Sequence, residues 1–141
     1  MMMKAVVIKE FGGPEVLELE DRMIPNMGED EVLIKVKAAG INRPDVFQRQ
    51  GKYPAPAHVC QDIPGLEVAG VIEAVGSQVI GFEKGARVMA LVAGGGYAEF
   101  VNVHFGSVIA FPEHIPFDYA ATLPETCYTV WHNLFQRGQL K

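Results

Sequence analysis

Hydrophobic and polar positions alternate in short bursts along most of the chain, and the alternation changes period only near its end. Met3 to Lys9 is a short apolar run rich in β-branched residues, closed by the turn Phe11-Gly12-Gly13-Pro14. Val16, Leu17 and Leu19 then alternate loosely with Glu18 and Glu20, and Val32, Ile34 and Val36 alternate with Lys35 and Lys37. A period of two is the signature of a half-buried strand. No helix lies between these strands to carry a parallel crossover, so an antiparallel start is expected. Further strands are expected at Val68 to Val75, Ala86 to Val92, Tyr97 to Val103 and Ser107 to Phe111. Short strands at this spacing, separated by glycine turns, predict a mainly β fold built as a compact, partly open barrel.

Two segments break the strand pattern. Asn42 to Gln50 is polar and fits a short internal helix, with Asn42 as N-cap, Pro44 in the first turn and Gly51 as the stop. The Pro-flanked stretch Tyr53-Pro54-Ala55-Pro56 then forces an extended loop. After Pro116 the period becomes helical. Thr122 and Glu125 have the spacing of a capping box, and Cys127, Trp131, Leu134 and Phe135 form an apolar stripe ending at Gly138. One or two carboxy-terminal helices are expected there. The division is residues 1–122 for the barrel and 123–141 for a helix leading out of it.

Composition narrows the function classes. In 141 residues, 49% are hydrophobic and 21% charged, so a packed core is within reach. The net charge of −5 comes without any Lys/Arg cluster, which argues against nucleic acid. No stretch approaches the eighteen or so apolar residues of a membrane span, and the apolar run at the start is too short for a signal peptide. A cytoplasmic location with no membrane partner is the expectation. Cys60 and Cys127 read as free thiols. His58, His104, His114 and His132 are scattered without ligand spacing, and Gly94-Gly95-Gly96 reads as a turn into the Tyr97 strand, since no dinucleotide fingerprint follows it.

Four segments carry more. Ala38-Ala39-Gly40-Ile41-Asn42-Arg43-Pro44-Asp45 is followed by Pro64-Gly65-Leu66-Glu67-Val68-Ala69-Gly70-Val71-Ile72. Gly85-Ala86-Arg87-Val88 and Gly95-Gly96-Tyr97-Ala98-Glu99-Phe100-Val101 come next. In this order the chain resembles the catalytic domain of the medium-chain dehydrogenase/reductase superfamily, a GroES-like barrel also known from alcohol dehydrogenases. Two departures place the resemblance. Where the zinc alcohol dehydrogenases carry a Cys ligand this chain has Asn42, and where they carry a His ligand it has Leu66. The four-cysteine structural zinc lobe has no counterpart, because Val92 runs almost directly into Gly94. A carboxamide and an isobutyl group cannot replace thiolate and imidazole around zinc.

The resemblance is therefore to the zinc-independent branch, closest to the quinone oxidoreductases, on Asn42, Asp45 and the run Arg49-Gln50-Gly51-Lys52-Tyr53-Pro54. It implies hydride transfer from NADPH, or NADH, to a small-molecule quinone or enone, with no metal. It also implies a homo-oligomer. In that reading Tyr53 donates to the substrate carbonyl, Asn42 and Thr129 border the nicotinamide, and Asp45, Tyr53 and Glu67 line the substrate pocket. Plainer roles stay open beside each: Asn42 as a cap only, Tyr53 as a barrel cover, Asp45 holding its loop or Arg49, Glu67 in a buried hydrogen bond, and Thr129 as an ordinary helix residue. Two rival functions also stay open, an enoyl-thioester reductase on the same scaffold and a stand-alone binding module without activity. The resemblance further implies a Rossmann domain beyond Lys141, so that the 141 residues are expected to be a fragment inactive by itself. The stripe around Trp131 is then expected to fold back onto the barrel or to pair with a second copy.

Overall fold

The computed structural model describes every residue, Met1 to Lys141. Alternation along β3 (Glu31–Ala39) puts Val32 and Ile34 inward with no exposure at all, while Lys35 and Lys37 point outward. β3 pairs antiparallel with β4 (Glu67–Val75) on one side and with β6 (Phe100–His104) on the other. β5 (Arg87–Leu91) and β7 (Val108–Ala110) extend the sheet beyond β4, giving the order β6-β3-β4-β5-β7. Val32, Ile34, Val68, Ile72 and Val88 are the heart of the core on its inner face. Gly70 faces Val36 where the β3–β4 register slips, and a methyl group there would meet the Lys35 carbonyl oxygen at 2.2 Å. Close backbone approach is thus what bends the sheet at this point.

β1 (Met2–Ile8) and β2 (Leu17–Met23) form a separate antiparallel pair. Met3, Ala5 and Val7 of β1 bury against Ile63 and Ala98. The segment between β5 and β6 ties the two sheets: the Val6 amide donates to Tyr97 at 2.8 Å, the Glu99 amide to Lys4 at 3.0 Å, and the Val36 amide to Glu99 at 2.9 Å. The result is a curled sheet closed on one side only, the mainly β, partly open barrel expected. The strand anticipated from Tyr97 to Val103 starts later, at Phe100. The reason is that Tyr97 to Glu99 spend their backbone groups bridging β1 and β3 rather than running in one ladder.

α1 (Arg43–Arg49) begins at Asn42 and stops at Gly51, which takes a φ of 73°. After β7, α2 (Phe117–Ala120) lays Ala120 and Ala121 against Ala69 and Phe111. Arg87 clamps this corner, its guanidinium 4.1 Å from the Phe117 ring centroid and donating to the Ile115 carbonyl at 2.6 Å. α3 (Pro124–Val130) follows and widens into a π-helical turn over Trp131–Arg137.

One expectation fails at this end, and one alternative of another. The Thr122/Glu125 capping box does not form. Pro124 occupies the first helical position, so Glu125 falls second rather than third, and the Thr122 hydroxyl donates back to Tyr119 at 2.9 Å. Of the two arrangements expected for the apolar stripe, folding back onto the barrel is not found, which leaves pairing with a second copy. Cys127, Trp131, Leu134 and Phe135 are all exposed, Trp131 by 58%, and Pro124 is the last buried residue of the chain. Trp131 and Phe135 pack on each other at a tilt of 34°, ring centroids 4.9 Å apart.

Because Ile34 is fully buried at the centre of the curled sheet, Ile34→Ala is expected to cost about 2–5 kcal/mol in urea denaturation. A loss below about 1 kcal/mol would place the core elsewhere.

Candidate functional site

Where β4 emerges from the Pro64-Gly65-Leu66 turn, its first residue, Glu67, is only 3% exposed. A carboxylate in such a place must be hydrogen-bonded. One oxygen accepts from the Asn42 carboxamide at 2.8 Å, and the other from the Glu125 backbone amide at 2.9 Å. Room for it comes from Gly40, at which a methyl group would lie 2.1 Å from the carboxylate. The Gly40 amide also donates to the Glu67 carbonyl at 3.1 Å, which fixes the two segments against each other.

Asn42 stands at the N-cap of α1, and its own amide donates to Asp45 Oδ2 at 2.7 Å, three residues on. The same oxygen accepts from the Tyr97 hydroxyl at 2.7 Å. Asp45 therefore does not hold Arg49, whose Nε donates to the Gly12 carbonyl at 3.2 Å. Asp45 Oδ1 is buried and has no partner within the chain. Tyr97 is held protonated, its pKa driven up by burial first, then by the bond to Asp45 and by the Asp45 and Glu67 charges. Burial first, and then the Glu67 and Asp45 charges, also raise the pKa of the Glu125 carboxyl.

The structure thus gathers Asn42, Asp45 and Glu67 into one hydrogen-bonded cluster at the junction of α1, β4 and α3. Tyr53 is not bonded to that cluster; it sits in the loop after α1, 44% exposed, with its hydroxyl free. Thr129 is exposed on α3, one turn beyond Glu125, and its carbonyl accepts from the Asn133 side chain at 2.9 Å. Sequence reasoning missed Tyr97 and Glu125 as members. The only trace of Tyr97 was its place in the Gly95-Gly96-Tyr97-Ala98-Glu99 segment, and Glu125 had been assigned to a cap instead.

Elsewhere, a cleft of about 1020 Å³ opens between β1–β2 and the main sheet; its rim includes Arg22, His58, Cys60 and Asn102 but none of the cluster. Cys60 donates its thiol to Asp62 at 3.1 Å, and burial chiefly raises its pKa. Both cysteines are unpaired. No group of three or more His, Cys, Asp or Glu side chains is placed to hold a metal ion, and no helix is long and apolar enough to cross a membrane.

A family model described as "Alcohol dehydrogenase GroES-like domain" matches residues 28–113. Among curated proteins, the quinone oxidoreductase of Lama guanicoe is 40% identical over 99% of this chain and 43% of its own length. That of Homo sapiens is 38% identical with the same coverage. The chain spans less than half the length of these relatives. Among solved structures, the human synaptic vesicle membrane protein VAT-1 homolog-like protein superposes with a TM-score of 0.91 at 37% identity, covering all of this chain and 45% of that one. A Pseudomonas syringae quinone oxidoreductase gives 0.87 at 35% identity, covering 99% and 43%.

The raised Glu125 carboxyl has a signed consequence. Between its ordinary value of 4.5 and its raised folded value, the folded chain binds more protons than the unfolded chain. Its contribution is therefore lost as pH rises through the raised value. Glu125→Gln should then gain stability relative to the wild type on going from pH 4 to pH 7, read by urea denaturation at the two pH values. A difference that stays flat or falls would remove the charge pressure assigned to this carboxyl.

Proposed function

The chain belongs to the alcohol dehydrogenase GroES-like domain family, among the quinone oxidoreductase-like members of the medium-chain dehydrogenase/reductase superfamily, and from that premise we propose that it supplies the substrate side of a zinc-independent NAD(P)H:quinone oxidoreductase. A dinucleotide-binding domain outside these 141 residues would hold most of the cofactor. The observation that carries the reading is the Asn42–Glu67 pair. At the position where the zinc branch places a thiolate, Asn42 is a carboxamide hydrogen-bonded to a buried carboxylate.

That donor set does not suit zinc. Leu66 offers no ligand atom and is buried, and both Glu67 oxygens already accept hydrogen bonds from the protein. It does suit a nicotinamide amide. Asn42 is held in one orientation by Glu67 and by the capping box of α1, and Thr129 keeps a free hydroxyl, so these two would border the ring's carboxamide. When bound, the nicotinamide supplies the hydride. A quinone or enone is electrophilic enough that a hydrogen-bond donor can take the place of a Lewis acid at the carbonyl oxygen. Tyr53, with its unengaged hydroxyl, is that donor, and Asp45 and Glu67 close the protein side of the pocket. The location proposed is the cytoplasm, and the assembly a homo-oligomer.

The full-length protein is expected to oxidise NADPH in the presence of a 1,4-quinone at a rate unaffected by a strong chelator. Tyr53→Phe should lower kcat/KM by about a hundredfold. Turnover of an enoyl thioester but no quinone would replace this reading with its reductase rival. A stoichiometric zinc, or a Tyr53→Phe variant of unchanged activity, would remove the metal-free site or the donor assigned to it.

A further inference from the structure

We propose that Tyr97 is a positioning residue that holds Asn42 through Asp45, and that Asp45 and Glu67 together make Asn42 and helix α3 a single unit. For its effect on the reaction this rests on the function proposed above; for its geometry it stands alone. Four hydrogen bonds make the unit: Tyr97 hydroxyl to Asp45 at 2.7 Å, Asn42 amide to the same oxygen at 2.7 Å, Asn42 carboxamide to Glu67 at 2.8 Å, and Glu125 amide to Glu67 at 2.9 Å. They join segments separated by 52 and 58 residues in sequence.

Tyr97 is suited to be the fixed end. Its amide donates to the Pro64 carbonyl at 2.9 Å, and its own carbonyl accepts from Val6 at 2.8 Å. Its ring lies against Gly65, which adopts a φ of 105°; a methyl group there would come within 2.7 Å of the ring. The phenol is thus held by backbone bonds on both sides and by the glycine beneath it. A phenol that stays protonated can only donate into the carboxylate, so the direction of the bond is set.

At the other end the chemistry selects one orientation of Asn42. A carboxylate only accepts, so Glu67 draws the carboxamide nitrogen to itself and turns Oδ1 to the Asp45 backbone amide, in the capping box that opens α1. The Asp45 bond fixes where the Asn42 backbone sits; the Glu67 bond fixes how its amide is turned. What Asn42 presents is then a side chain of fixed orientation, on a residue locked to the helix that carries Thr129. Orientation of this kind acts on turnover more than on substrate affinity.

The relay is tested twice. In the chain itself, Tyr97→Phe should speed hydrogen exchange at the Asn42 backbone amide by about tenfold, leaving the Ile34 and Val68 amides of the barrel unchanged. Asp45→Ala, which removes the oxygen that both donors share, should do the same and serves if the first variant folds poorly. Uniform acceleration across the barrel would reduce Tyr97 to a stability residue, and unchanged exchange at Asn42 would end the proposal. In the full-length protein, Tyr97→Phe should lower kcat by about tenfold with the KM for quinone within about twofold. A kcat equal to that of the wild type would also overturn it. If the wild type reduces no quinone, the reaction assigned above fails, and the exchange pattern still decides the relay.

Discussion

The carboxylate of Glu67 lies in the seam between the half-barrel and the carboxy-terminal helix, and it is the interaction on which the site depends. It is buried to 3% exposure, and each of its oxygens is taken by a donor from a different segment. Hydrogen bonds to a charged group contribute about 1.5–3 kcal/mol each, but an ionised carboxylate stripped of water costs more than that if left alone. The two bonds are therefore required by the burial. Because they come from Asn42 and from the first turn of α3, the requirement is passed on to both. Gly40 completes the condition, since any side chain there would occupy the space of the carboxylate. An amide of the same shape could satisfy one donor but not both, because its nitrogen would meet an N–H.

This explains why the helix starts where it does. A helix beginning at Pro124 leaves its early amides without intrahelical partners, and one of them, that of Glu125, is supplied from the neighbouring strand. The local candidate, Thr122, turns its hydroxyl to Tyr119 and caps nothing on α3. Capping from a distant strand does what a local cap cannot: it fixes the helix to the barrel as well as satisfying an amide. Packing adds to this most fully at Ala120, Ala121 and Pro124, which are buried. Beyond them no residue of α3 or of the π-helical turn is buried.

Most of the barrel was legible in the sequence because its strands are half-buried and alternate. Val32, Ile34 and Val36 against Lys35 and Lys37 declare an inner and an outer face, and Val32 and Ile34 are found fully buried. The site was legible only in pieces. Asn42, Asp45 and Glu67 could be picked out because they sit in glycine-marked segments of a family pattern, yet nothing in the pattern says that Glu67 reaches Asn42. Tyr97 lay in plain view within such a segment, but its bond to Asp45 spans 52 residues, and contacts at that separation are set by how the sheets curl. The capping box misled for the opposite reason. Its spacing was right, but a proline at the first helical position shifted Glu125 by one place, and a buried carboxylate outcompeted the local hydroxyl for the amide. The apolar stripe was read correctly as helical, and the barrel is not what covers it, since periodicity reports which residues share a face and says nothing of what faces them.

The same asymmetry bears on how the two expected cofactor-side residues are held. Asn42 is fixed at both its backbone and its side chain, by Asp45 and by Glu67, inside a network anchored on the barrel through Tyr97. Thr129 is held only through its helix, whose one hydrogen bond into this cluster is the Glu125 amide, a turn away. Its neighbours Val130, Trp131 and Leu134 are exposed, and Trp131 packs on Phe135. Precision at a reacting centre falls with each unrestrained link between it and a rigid element. The barrel therefore defines the position of Asn42 by itself, whereas the position of Thr129 depends on whatever else packs on the helix. Glu67 is the one group that answers to both, which places the control of their mutual geometry in a single buried carboxylate at the seam.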